Sequence, residues 1–600
     1  MGVFKTIEHK CDFCVVGGGL AGTIAALSAA RKGAKVVLVQ DRPVLGGNCS
    51  SEIRMWVRGA KGKYNRESGI LSEFEEENIY RNPTLAPTVW DSVLFGKINE
   101  NKNITLLLNS SCLDAECSDS RITSITAWQL TTYTYHKVEA DLFADCSGDS
   151  ILAPLTGANH RLGREARHEY GEDIGPEDIA DNKTMGMSCL IQARETDHEV
   201  KYIPPSWANV YETDEDFAII PYLEGQHSSF RDHKIGTSGC NLWWMELGGN
   251  TGIPIENTEE TRDELLKVAF GIWDHIKNRD DHGFANWELE WVGFLPGKRE
   301  SRRYISDHVL TQRDIESGGK FDDIIAYGGW PMDDHNPKGM LANSQNDTPS
   351  YFYPAPSPYG IPYRCLYSVN IANLFFAGRN ISATHAAISS TRVMATCSLL
   401  GQAVGNAAAL CVKYGCDPRD ISREHIHELQ QEILYDGVFL PGVKREISEL
   451  TKQAKLNLSA SDREILFNGM DRPYNDEELN GIMLDVGSEI VFSYDTPRKI
   501  NTLRLCLDPD YSRVSVSKNF KMRVIAQKLH QGLDFEPVKA AATLVKEITV
   551  YGDDNVIFSD DNNYSSLLKI PVDGTYSTVR VVFGNTHGSE KICIFGCDMI

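Results

Sequence analysis

What this 600-residue chain lacks narrows its function first. It has no run of about 18 uncharged apolar residues, the length a membrane-crossing helix needs, so no span is expected. Its first residues, MGVFKTIEHKCDF, hold no long apolar core, so no signal peptide is expected. The expected location is cytoplasmic, with a trimmed exported form as the alternative. The 15 cysteines form no dense framework of the secreted kind and read as buried or free thiols in a reducing compartment. Positive charge is scarce: 60 Lys and Arg stand against 83 Asp and Glu, a net charge of −23. That disfavours nucleic acid and anionic membranes as partners. His227, His233 and His308 lack compact ligand spacing, so no metal is expected. There is no GxSxG nucleophile elbow, no P-loop and no internal repeat.

At roughly 100–200 residues per domain, the length suggests about three units. Cys11–Val16 is a short apolar run that fits a buried parallel strand. Thr23–Lys32 is rich in Ala, Leu and Ile and predicts a helix, which Gly33 ends before a second strand, Lys35–Val39. Asp141–Ala144 and Asn373–Ala377 read as further strands. Ser390 to about Tyr414 reads as one long apolar helix, and His425–Leu434 as a polar one. From 155 to 365 the chain reads as irregular. After Pro441-Gly442, short alternating strands appear, with Leu503, Leu505 and Leu507 on one face, then Met522, Val524 and Ala526, then Val579, Val581 and Phe583, a β-sandwich pattern.

Gly17, Gly19 and Gly22 make G-x-G-x-x-G between a strand and a helix. Gly17 allows the tight turn, Gly19 a close backbone approach to a diphosphate, and Gly22 close helix packing, while the helix N-terminus offers N–H groups to the anion. The ribose-binding acid expected after the second strand is replaced by Gln40, with Asp41 next, and either can serve. A plain NAD domain has no need of the second glycine pair in Gly46-Gly47-Asn48. The strand ends at Asp145-Cys-Ser-Gly-Asp149 and Phe376-Ala-Gly-Arg-Asn380 supply two more returns to one dinucleotide, which fits FAD.

The stretches VVGGGLAGTIAA, VLVQDRPVLGGN, ADCSGD, LPGKRESRR, YGGWPMDDH, YGIPYRCLYS and LFFAGRNISATHAAISSTRVMATCSLLGQAVG resemble the FAD-dependent oxidoreductases with a glutathione-reductase-type FAD fold, more distantly the succinate dehydrogenase and fumarate reductase flavoproteins. The resemblance covers about residues 11–435. It implies FAD contacts at Gly17, Gly19, Gly22, Gln40 or Asp41, Gly46, Gly47, Asn48, Asp145, Gly148, Asp149, Gly378, Arg379 and Asn380. Cys49 reads as a small residue rather than an attachment point for flavin. The expected architecture is an α/β Rossmann-like FAD domain (1–155 and 365–440), an inserted α+β substrate domain (156–364) and a C-terminal all-β sandwich (450–600), jelly-roll and discoidin or galactose-binding-like, which either packs against the enzyme or binds glycans.

Lys298-Arg-Glu-Ser-Arg-Arg303 is a dense positive segment in an acidic chain. Arg299 and Arg302, which would share a face if the segment is helical, are candidates for binding a carboxylate or an oxyanion, or for interdomain salt bridges. His335 beside Asp333 and Asp334 is a candidate for proton transfer. His385, between FAGRN and the long helix, is a candidate base or hydrogen-bond donor. Tyr359, Tyr363 and Arg364 are candidate pocket residues, and Trp243-Trp244 a candidate sugar platform. The leading expectation is hydride transfer between FAD and a small polar substrate, a carbohydrate or other hydroxylated compound. The alternatives are fumarate-reductase-like reduction of a C=C bond in a carboxylate, and a glycan-binding protein with a vestigial FAD domain. A small-molecule substrate and an unassigned electron partner are implied, and the pattern leaves room for a homo-oligomer.

Overall fold

The computed structural model describes residues 3–82, 86–213, 216, 245–252, 254–279, 282–342, 349–473, 475, 477–511 and 539–600. His227, His233, Trp243, Trp244, Met522, Val524 and Ala526 lie outside them.

The apolar runs near the N-terminus build a parallel sheet. Strand β1 (Lys5–Val16) leads through the glycine turn into helix α1 (Leu20–Arg31) and back to β2 (Val36–Val39). Next come β3 (Ile104–Leu107), a meander of β4 (Ser110–Ser118) and β5 (Arg121–Gln129), and β6 (Thr134–Asp145). Much later β7 (Leu374–Phe376) joins. The parallel ladder runs β3-β2-β1-β6-β7. Val16 registers with Val39 and Asp145, and Asp145 with Phe376. Three stretches remote in sequence therefore end at one edge of the sheet, where open α/β sheets bind ligands.

Helix α2 (Met394–Tyr414) packs along α1, which itself lies on the sheet. A Cβ on Gly401 would lie 2.1 Å from the Ala21 carbonyl oxygen, and one on Gly405 2.3 Å from that of Ala25. The two glycines let the helix backbones touch. Helix α2 is the one described helix long and apolar enough to cross a membrane, and it is 89% buried in the protein. It is preceded by a separate short helix, His385–Thr391, so the single helix predicted from Ser390 is broken at Arg392 and Val393.

The middle segment is more ordered than its composition suggested. It holds the helix Thr258–Asn278, which packs Val268, Ala269, Ile272, Trp273 and Ile276 against the antiparallel pair Ile191–Glu195 and Trp287–Val292 in a core of its own. The Arg-rich segment is extended rather than helical: Gly297–Lys298 pairs with Met187–Ser188 and Arg303–Tyr304 with His160–Arg161. Arg299 and Arg302 thus share no helix face.

The C-terminal part is an antiparallel sheet of β8 (Ile482–Asp485), β9 (Glu489–Leu507), β10 (Ile548–Gly552), β11 (Asn555–Asp560), β12 (Leu567–Phe583) and β13 (Lys591–Met599), in the order β8-β13-β9-β12-β10-β11. Leu503, Leu505, Leu507, Val579, Val581 and Phe583 are buried on its inner face. The sheet is bolted to the first domain. Arg504, fully buried, pairs with Asp471 at 2.7 Å and donates to the Tyr435 and Leu434 carbonyls at 2.9 and 3.2 Å. Tyr80 and Tyr564 stack at 4.2 Å. Arg504→Ala removes one of the two arginines paired with Asp471 and takes the Arg504 donor from the Tyr435 carbonyl. It is expected to lower stability by about 3–5 kcal/mol in denaturant unfolding. A loss below about 1 kcal/mol would show that the docking does not depend on it.

Candidate active site

The glycine turn opens a cavity of about 720 Å³ at the sheet edge. Gly17 has φ of 103°, and a Cβ there would lie 2.5 Å from the Cys146–Ser147 backbone. A Cβ on Gly22 would lie 1.9 Å from the Gly17 carbonyl oxygen. Gly19 differs: its backbone is ordinary (φ −64°, ψ 177°), and an added Cβ would meet no protein atom within 4 Å. It borders open space. No side chain caps the start of α1, and the first turn carries no acid. Gly46, Gly47 and Asn48 complete this wall, with Gly46 donating to the Gly18 carbonyl at 2.8 Å. Gly148, Asp149, Gly378 and Arg379 line it as well.

Charge is unevenly shared. The cavity wall carries eight Lys and Arg against three Asp, in a chain of net charge −23. Asp149 is bridged by Lys298 at 2.8 Å and Arg379 at 3.0 Å. Despite burial, these two cations hold its carboxyl down at about 2. Arg302 reaches the Asp149 carbonyl at 3.4 Å. Arg299 is buried and committed: it bonds Ser188 Oγ at 2.9 Å and lies 3.3 Å from Glu246.

His335 also faces the cavity. It sits on the strand Met332–His335, with Nδ1 2.6 Å from Glu246 and Nε2 3.4 Å from Asp333. Burial alone would lower its pKa, but the Glu246 and Asp333 carboxylates outweigh it and raise the value above the usual imidazole range. The two carboxylates thus favour the imidazolium more than water would.

Residues 12–433 match the family model for FAD dependent oxidoreductases. The chain belongs to the FAD dependent oxidoreductase family. FAD is its cofactor. Short stretches are also similar to curated flavoproteins: 47% identity over 67 residues with the NADH:acrylate oxidoreductase of Vibrio harveyi, and 37% over 79 residues with the glycerol-3-phosphate dehydrogenase of Mycobacterium leprae. These matches cover 11% and 13% of this chain and only 7% and 14% of those proteins. A geranylgeranyl bacteriochlorophyll reductase-like protein from Thermoplasma acidophilum aligns over 72% of this chain and 86% of its own, at 11% identity and a TM-score of 0.30.

The residues present fit FAD. The open face of Gly19, the uncapped start of α1 and the basic wall suit a diphosphate. Of the residues read as cofactor contacts, Gly17, Gly19, Gln40, Asp41, Gly46, Gly47, Asn48, Gly148, Asp149, Gly378 and Arg379 line the cavity, whereas Gly22, Asp145 and Asn380 do not. Asp145 is a buried hub that accepts from Ser147, Leu152, Tyr304 and Asn380. Gln40 spends its amide on the Gly18 N–H at 2.7 Å and the Val44 carbonyl at 3.0 Å, while Asp41 stays exposed at the rim. Cys49 lies outside the cavity wall, bonded to the Gly46 carbonyl at 3.0 Å.

His385 is the main correction among the catalytic candidates. It lies behind the cavity, fully buried, with Nδ1 2.9 Å from Glu300 and Nε2 2.9 Å from Asp334. It does not line the cavity, so it offers no base there. The flanking carboxylates Glu300 and Asp334, against the opposing effect of burial, raise its pKa to about 10. It ties the segment bearing Arg299 to the strand bearing His335. An imidazolium with a raised pKa stabilises the fold fully below the ordinary value of 6.5, and that contribution is lost as pH rises through about 10. Wild-type stability is therefore expected to fall between these limits, and His385→Gln to be less stable than wild type at neutral pH by about 3–5 kcal/mol, with a flatter decline. Parallel unfolding curves across that range would contradict this. Tyr359, Tyr363 and Arg364 bond Ser390, the Pro418 carbonyl and Asp323 and do not line the cavity. Sequence reasoning missed Glu246, Arg392, Trp330 and the stretch Trp56–Lys61, although Trp56, Arg58 and Lys61 follow closely on the second glycine pair.

Proposed function

We propose that the protein transfers a hydride between FAD and a small polar, hydroxylated substrate, with His335 as the group that moves the proton. Bound FAD supplies the two-electron chemistry. The carrying observation is the position of His335: it faces the same cavity as the glycine loops, and its other contacts fix the ring. Glu246 orients the imidazole through Nδ1, and Nε2, 3.4 Å from the cavity residue Asp333, is the proton-transfer atom in this reading. In this reading, the backbones of Gly17, Gly19, Gly46 and Gly47 hold the diphosphate. Asp41 rather than Gln40 meets the ribose, because the Gln40 amide is spent. Lys298, Arg302 and Arg379 supply positive charge, and Arg299 positions Glu246.

A second reading is reduction of a C=C bond in a carboxylate. It is favoured by the carboxylates that raise the His335 pKa and by the surplus of cations on the wall. Anaerobic mixing separates the two. Bleaching of the oxidised flavin band by a polyol, sugar or hydroxy acid supports the first. Recovery of the band when dithionite-reduced protein meets an unsaturated acid supports the second. Silence in both arms contradicts the proposal.

The C-terminal sheet is proposed to be a galactose-binding-like jelly-roll whose task is bracing, supported by the buried contacts of Arg504 and the Tyr80–Tyr564 stack. A reducing, cytoplasmic setting agrees with free thiols throughout the described residues.

A further inference from the structure

Among the cavity's cations, Arg58 stands apart. Its guanidinium is half-buried on the cavity wall, 4.8 Å from the Trp56 ring, and makes no hydrogen bond or ion pair among the described residues. Every other arginine on this wall is engaged. Arg299 has Glu246 and Ser188, Arg379 has Asp149, Arg392 has the Asp333 carbonyl, Arg42 lies near Asp41 and Glu52, and Arg302 reaches a carbonyl. Burial with no carboxylate nearby pulls the Arg58 pKa down to about 10. A guanidinium taken partly out of water without a partner is costly, and an incoming oxyanion repays that cost.

A second uncommitted cation lines the same cavity. Lys61, whose ammonium makes no ion pair among the described residues, lies 5.1 Å from the Trp330 ring. Trp330 is also on the wall, and its indole N–H, closed to solvent, has no hydrogen-bond partner among the described residues. The loop is held in place. The Arg58 carbonyl accepts from Ala395 N–H at the start of α2 at 2.9 Å, Lys61 N–H donates to the Gly329 carbonyl at 3.0 Å, and the buried Glu67 carboxylate accepts from Ala60 N–H at 2.9 Å. The backbone that carries the two cations is set before any ligand arrives, which lowers the cost of binding.

We propose that Arg58 and Lys61, with the Trp330 ring beneath the lysine, form an oxyanion subsite that grips the carboxylate or phosphate of a small organic substrate, so the substrate is an anion. This deepens the hydride-transfer reading and rests on it only in taking the cavity as the place where substrate meets FAD. The role that the sequence suggested for Arg299 falls instead to Arg58, because Arg299 is spent on Glu246.

The test is an equilibrium titration of the FAD-loaded protein, followed by the flavin spectrum and by thermal shift. The probes are malonate, lactate and glycerol 3-phosphate, with glycerol as the neutral control. The three anions are expected to perturb the spectrum and raise the melting temperature, and glycerol to do neither. Arg58→Gln is expected to weaken anion binding at least tenfold while FAD affinity stays within about twofold. Arg58→Lys, which keeps charge but loses the fork, is expected to fall between. A preference between malonate and glycerol 3-phosphate separates carboxylate from phosphate. Equal anion affinity in wild type and Arg58→Gln overturns the proposal. So does a tenfold loss of FAD affinity in Arg58→Gln and Arg58→Lys, which would give Arg58 to the cofactor. The titration needs no turnover, so absent redox activity with preserved anion binding would sink the hydride-transfer reading alone.

Discussion

Gly19→Glu is expected to give a folded protein that no longer holds FAD. The reason is local. Gly19 has extended backbone angles open to any residue, and its missing Cβ borders the cavity rather than protein. A side chain there costs the fold little, within about 0.5 kcal/mol for the apoprotein. It does occupy the space where the diphosphate approaches the first N–H groups of α1, and it brings a like charge. Losing one or two charge-assisted hydrogen bonds of about 1.5–3 kcal/mol each lowers FAD affinity by roughly a hundredfold or more. Gly22→Val is the contrasting variant. Its Cβ would lie 1.9 Å from the Gly17 carbonyl oxygen, so it is expected to misfold rather than merely bleach. Thermal unfolding of the two apoproteins, with FAD titration of whatever folds, checks both. A Gly19→Glu protein that purifies yellow would place the diphosphate elsewhere.

His335→Gln is expected to keep FAD and lose turnover by about 10²–10⁴-fold, the usual worth of a positioned acid or base. Glutamine can hydrogen-bond Glu246 but has no proton to exchange. The companion variant is Glu246→Gln. The Glu246 carboxylate, 2.6 Å away, is the chief group raising the His335 pKa. Removing its charge is expected to move the His335-dependent limb of the pH–rate profile to lower pH. An unmoved limb in Glu246→Gln, or wild-type rates in His335→Gln, would separate His335 from the chemistry.

Much of the cofactor side was legible in the sequence because its signals are local. Apolar runs of four to six residues bounded by glycine are too short for most helices and fit buried strands, and G-x-G-x-x-G between strand and helix marks a turn. The convergence of residues near 17, 40, 148 and 378 then follows from parallel register. The substrate side was less legible because long-range contacts set it. Nothing local to Trp56–Lys61 says that the Arg58 carbonyl meets Ala395, or that Lys61 lies over Trp330. His385 was misplaced for the same reason: proximity in sequence to FAGRN is not proximity to the cavity, and two remote carboxylates claim the ring. The helix Thr258–Asn278 was legible and passed over. Glu259 and Glu260 in its first turn, and buried Leu265, Ala269, Ile272 and Ile276, mark an amphipathic helix.

The most direct test of the whole account is a crystal structure of the FAD-loaded protein. The expected result is FAD with its diphosphate at the Gly17–Gly22 turn and its flavin ring in the part of the cavity walled by His335, Arg58 and Trp330. A flavin ring lying away from His335, with the diphosphate at the glycine turn or not, would contradict the assignment of the proton-transfer group and of the anion subsite together.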